Sequence, residues 1–152
     1  MPPADPAEQL EAFIGRYTPE IAAQARAAIQ AMTARLPGAV GLVYDNYNAL
    51  AVGFGPSERA SEAICSIAVY PRWVSLFFLQ ARGLPDPLGL LCGGGTQARH
   101  IVLKTPRTLA EPGVQALIHE ALARAKAPLD PTRPSRLLIR SVSAKQRPRR
   151  PA

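Results

Sequence analysis

The chain has 152 residues, 47% of them apolar but only 6% aromatic, and a formal net charge of +7. That length admits one ordinary domain with a tail, built around a core of mostly Ala, Leu, Ile and Val. The charge is concentrated: Lys126 to Ala152 holds eight Lys or Arg against one Asp, while Met1 to Ala125 holds ten of each sign, which excludes a uniformly basic globule. No run approaches the roughly 18 apolar residues of a membrane-spanning helix. Met1-Pro2-Pro3-Ala4-Asp5 lacks the cationic and apolar regions of a signal peptide, so the expected location is cytoplasmic. Cys65 and Cys92 form no disulfide framework.

Asp5-Pro6-Ala7-Glu8 combines a cap residue, proline at the first helical position and Glu three residues after the cap. It predicts a short helix with Leu10, Phe13 and Ile14 on one stripe, stopped by Gly15. Thr18-Pro19-Glu20 repeats the signal, and Ile21, Ala25, Ala28, Ile29, Met32 and Leu36 recur at helical spacing up to Pro37-Gly38. From Ala39 the period becomes two. Leu50, Val52 and Phe54 alternate with Ala51, Gly53 and Gly55, a strand with one bulky face and one that admits a close neighbour.

Ile64 to Tyr70 and Trp73 to Leu79 are β-rich runs separated by Pro71-Arg72, the spacing of a hairpin. Leu84-Pro85-Asp86-Pro87 breaks the pattern, a helical turn is expected around Leu88 to Leu91, and Gly93-Gly94-Gly95 leads to a strand over Arg99 to Lys104. Pro112 opens a helix carrying Val114, Leu117, Ile118, Ala121 and Leu122. Strands bunched between terminal helices predict an α+β fold, an antiparallel sheet with N-terminal and C-terminal helices packed on one face.

The predicted domain is 6–125, and 126–152 reads as a basic Pro/Arg-rich tail. Within the tail, Arg136 to Val142 either docks as an added edge strand or belongs to the linker, with the end from Ala144 mobile. Trp73, Ser75, Phe77 and Leu79 share one strand face and Val74, Leu76 and Phe78 the other, so both faces are apolar. Either the apolar tail segment folds over the second face or two chains meet there, which leaves monomer and homodimer open.

This order of elements, Tyr17-Thr18-Pro19-Glu20 before the long helix, the Leu90-Leu91-Cys92-Gly93-Gly94-Gly95 run and the Arg99-His100-Ile101 strand together resemble the YdhG-like family of bacterial domains over roughly residues 10–125. The resemblance implies a frataxin-like arrangement of terminal helices on an antiparallel sheet. One branch of the family is described as an intracellular iron chaperone, so iron is the one cofactor it brings into view. Where many relatives have Gly-Met-Pro, this chain has Asp45-Asn46-Tyr47-Asn48, and its first two helices offer only Glu8, Glu11 and Glu20 in place of an acidic ridge.

No spacing of His, Cys, Asp or Glu predicts a metal site; His100 and His119 stand alone. Tyr44, Asn46 and Asn48 would project to one side of an extended segment, with Asp45 and Tyr47 on the other. The segment is either a sheet edge or turn satisfying its own backbone, or a small polar pocket in which those three side chains orient a ligand. The glycine run is either a plain connection or an anion contact helped by Arg99; it lacks the Lys and helix start of a nucleotide loop.

Cys92 is expected to be exposed and Cys65 to be inert core; Cys92 has no His or Lys nearby in sequence, and the sequence singles out no acidic or histidine partner for Ser57, Ser61 or Ser66. In the tail, Lys145, Arg147, Arg149 and Arg150 are candidate phosphate contacts, giving weak, salt-sensitive binding to polyanions without aromatics to stack bases. The expectation is a non-catalytic binding or carrier module for a small ligand or protein partner. The alternatives are a nucleic-acid-associated protein acting through its tail and a small enzyme of unknown reaction.

Overall fold

The computed structural model describes residues 5–94 and 97–151; Met1 to Ala4, two residues of the Gly95-Thr96 step and Ala152 lie outside them. Helix α1 spans Pro6–Ile14, with the Asp5 carboxylate accepting from the Glu8 amide at 2.9 Å. Helix α2 spans Pro19–Arg35 and is capped by the Thr18 hydroxyl, which accepts from the Ile21 amide at 3.3 Å. Strands β1 (Val40–Asp45), β2 (Leu50–Gly55), β3 (Cys65–Val69), β4 (Val74–Phe78) and β5 (Arg99–Leu103) follow, then α3 (Pro112–Ala123) and β6 (Arg136–Val142). Around Leu88 to Leu91 no helical turn forms. A single turn closes at Asp86 instead: its carbonyl accepts from Gly89 N at 3.1 Å and its carboxylate from the amides of Leu90 and Leu91 at 2.8 and 2.9 Å.

The fold is α+β, with three helices and one six-stranded sheet in the order β5-β4-β3-β2-β1-β6. It is mixed, and this corrects the antiparallel expectation: β1 to β5 pair antiparallel, but β6 pairs parallel to β1. The stretch from Lys104 to Ser135, which includes α3, is long enough to carry the chain back to the far edge and enter it from the same end as β1.

One hydrophobic core joins apolar residues of all three helices, among them Ile14, Met32 and Ile118, to alternate residues of the strands such as Val43, Val52, Ile67, Leu76 and Ile101. The other parity forms the outer face of the sheet: Leu42, Tyr44, Ala51, Gly53, Ser66, Ala68, Ser75, Phe77, His100 and Val102. Part of that face is covered where the chain returns past Gly55. A Cβ there would stand 3.0 Å from the Ala63 Cα, so the small side of β2 is the close approach that its glycines predicted.

The tail does not fold over the outer face. Leu137 and Ile139 pair with Gly41 and Val43 and pack against the helical core, while the backbone of β6 fills the open edge of β1. Pairing satisfies amides that lying flat on a face would leave unpaired. The segment from Ser143 to Pro151 is docked in place of the expected mobile end: Ser143 N donates to Asp45 O at 2.9 Å and Arg147 N to Tyr47 O at 2.8 Å. It runs as a strap past the strand ends.

Candidate functional site

The β1–β2 connection is a tight hairpin turn, closed by Asn46 N donating to Ala49 O at 3.0 Å. The extended alternation therefore stops at Asp45, and Tyr44 is separated from Asn46 and Asn48. Tyr44 stays half-buried on the outer face beside Ala51, while Asn46 and Asn48 are exposed in the turn. The turn forms one wall of a trough of about 540 Å³ on the outer face. Ala51, Ser66 and Ala68 make its floor, with Asn46, Tyr47, Asn48 and Ser143 on one side and Tyr70, Phe77 and Leu79 on the other. Short side chains on two neighbouring strands, β2 and β3, leave the space, and the rim supplies amides, hydroxyls and ring faces.

A more apolar hollow of about 410 Å³ lies on the helix side, between α1, α2 and β6, lined by Ile29, Phe54 and Leu137 among others. It is an open groove beside Gly41 whose polar side chains are Asp5, Thr33, Ser135 and Arg136, fewer than the outer trough offers, so the outer trough is the better candidate site.

Beneath the turn lies a polar cluster that the sequence does not single out. The Asp45 side chain, on the core face of β1, is 1% exposed and accepts from Arg149 Nη2 at 2.9 Å and from Arg16 Nη1 at 3.3 Å. Arg149 is equally buried; it also donates to the carbonyls of Asn46 and Tyr47 and lies over the Tyr17 ring, 5.8 Å from its centre. Tyr17 in turn donates to Val69 O at 2.8 Å and accepts from Leu50 N at 3.2 Å. Burial raises the Tyr17 phenol above its usual range, against the opposing pull of the Arg149 charge. Gln146 links Arg16 to the Asp45 carbonyl, at 2.7 and 3.0 Å. The cluster holds the turn, and so one wall of the trough, against the strap.

The predicted site residues therefore separate. Asn46 and Asn48 line the trough, and Tyr44 sits on the same face outside its lining. Arg99 opens β5 opposite Phe78, at the far edge and the other end of the sheet, and does not join them. Among the tail cations, Arg149 is withdrawn from solvent by Asp45 and is corrected from phosphate contact to internal ion pair; Lys145, Arg147 and Arg150 remain exposed. Arg147 lies over the Tyr47 ring at 5.6 Å.

Cys65 is buried, and burial pushes its thiol up to about 12. Cys92 is exposed, bridges to His100 through the backbone and donates its thiol weakly to Leu90 O. Gly93 adopts φ +106°, while the next two residues of its run fall partly outside the described residues.

No protein-family model, curated protein or solved structure matches this chain. The site is accordingly read from its own chemistry. Reasoning from sequence overlooked Asp45, Tyr17 and Arg149 as a unit. A signal for Asp45 was present, since it shares strand parity with the apolar Val43 and so falls on the buried side; nothing in the sequence pairs it with a residue 104 positions later.

Proposed function

We propose that this protein is a non-catalytic binding module that takes its ligand in the outer-face trough. The observation that carries this reading is the combination of a small-residue floor, Ala51, Ser66 and Ala68, with an amide-bearing turn on one side and aromatic rings on the other. The resemblance of residues 10–125 to the YdhG-like family, with terminal helices on one sheet face, supports a carrier role of this kind in the cytoplasm. Iron is not part of the proposal, because among the described residues no three His, Cys, Asp or Glu side chains come together as a donor set.

The test is native mass spectrometry of the purified protein with Ala68→Phe as a control, since a phenyl ring at that position fills the floor. The wild type is expected to carry added mass that the variant lacks. A bare 16.3 kDa species for both, together with unmoved Ala51 and Ala68 amide resonances on titration with a library of small ligands, would sink the proposal.

A further inference from the structure

We infer that the outer face binds single-stranded nucleic acid, its bases stacking on the aromatic rings of the β3–β4 turn, β4 and β5 and its phosphates meeting cations at the rim. The inference rests on the reading of this face as a binding surface and names the class of ligand.

Two ring pairs stand on the face. Tyr70 and Trp73 stack with centroids 4.8 Å apart at 22°, and Phe77 and His100 with centroids 5.0 Å apart at 29°. Trp73, Ser75 and Phe77 alternate along one strand face, so the pairs are about 13 Å apart at about 3.3 Å per residue. Between them lie the short, enclosed side chains of Ala68 and Ser75. The Ser75 hydroxyl is 1% exposed and has no hydrogen-bond partner among the described residues. Trp73 keeps 42% of its surface exposed, in a position where a ring of that size contributes nothing to the core.

Tyr70 lines the trough, while Trp73 lines a neighbouring hollow of about 520 Å³ with Arg72, Val102 and Lys104, so the stacked pair stands between two adjoining recesses. Flat rings flanked by open space suit splayed, unpaired bases, which every sequence offers; a duplex keeps its base faces hidden.

The charge is complementary. None of the β1–β5 residues on the outer parity is acidic, and Asp45 on the opposite parity is neutralised by Arg149. Arg72 and Lys104 border the second hollow, which has Glu20 as its one lining carboxylate, and the strap ends there at Pro151. The strap also lines the trough at Ser143, and its exposed Arg147 lies over Tyr47 of the trough wall. A second copy of the chain would set these cations against each other, whereas a phosphate backbone is attracted by them.

The test is fluorescence anisotropy of labelled oligo(U) and oligo(dT) 12-mers across a salt series, with the emission of Trp73, the sole tryptophan, read in the same titration. Both oligomers are expected to bind and to quench Trp73. Trp73→Ala and Phe77→Ala should each weaken binding about tenfold. Arg147→Ala should flatten the log–log salt slope by about 0.7, the increment that one neutralised phosphate adds on a single strand. A preference between the two oligomers identifies ribose or deoxyribose as the natural backbone.

Binding that survives both ring substitutions, or that leaves wild-type Trp73 emission unchanged, would overturn the inference in favour of contact through tail charge alone. Absence of binding while small ligands still move the Ala51 and Ala68 resonances would overturn it and leave the binding-module reading standing. The wild-type quenching decides the matter even if a ring variant fails to fold.

Discussion

Arg149 and Asp45 show how one residue's role inverts between a sequence and a packed chain. In a tail of arginines Arg149 looks like any other solvated cation, yet its guanidinium is enclosed with a carboxylate and two carbonyls. Breaking a buried pair leaves a charge without its partner, so Arg149→Met should lose about 3 kcal/mol in urea unfolding, and Asp45→Leu in the same chain should recover part of it. Equal stability of wild type and single variant would contradict the buried pairing. Tyr17 makes a second prediction. Its folded phenol ionises above the unfolded one, so the native state holds a proton that the unfolded state releases, and stability falls as pH rises from about 10 through the folded value. Tyr17→Phe should make that alkaline slope shallower, leaving the share of the buried Cys65 thiol, and lower stability by about 1 to 3 kcal/mol at neutral pH, through the stranded Leu50 amide and Val69 carbonyl.

The tail is best understood at the level of its elements. Strand β6 covers the β1 edge, and its Leu137 comes so near Gly41 that a Cβ there would stand 2.6 Å from the Leu137 methyl. Gly38, at φ +81°, turns α2 into β1 directly against the approach to β6, where a Cβ would fall 1.9 Å from the Asp130 carbonyl oxygen. Gly38→Ala therefore combines positive φ with a backbone clash and should cost at least about 2 kcal/mol, read as a lowered urea midpoint. Truncation after Ala125 removes the β1 partner strand and the Asp45 counter-ion together; the remaining chain should be recovered mainly in aggregates, and a soluble, cooperatively unfolding fragment would argue against an integral β6. The parity of β2, β3 and β4 was legible from their alternation. That of 44–48 was not, because the hairpin closes at Asn46 and ends the alternation that would place Tyr44, Asn46 and Asn48 together.

For the molecule as a whole, the +7 charge is organised by the strap's path rather than by the tail's composition. Docking past the strand ends converts a basic appendage into a rim beside an aromatic face. Self-association through that face would bring like charges together, so sedimentation at micromolar concentration and low salt should give the monomer mass of 16.3 kDa; a mass twice that would assign the face to a dimer.

Local chemistry alone specifies two capped N-terminal helices, strands marked by period two, the hairpin spacing and the α+β order. Caps, turns and alternation act within a few residues and are written there. The parallel course of β6 beside β1, the enclosure of Arg149 and the separation of Arg99 from the turn emerge on packing. Each of those depends on pairings between residues far apart along the chain, selected by which edge, charge or amide would otherwise remain unsatisfied after the rest has packed.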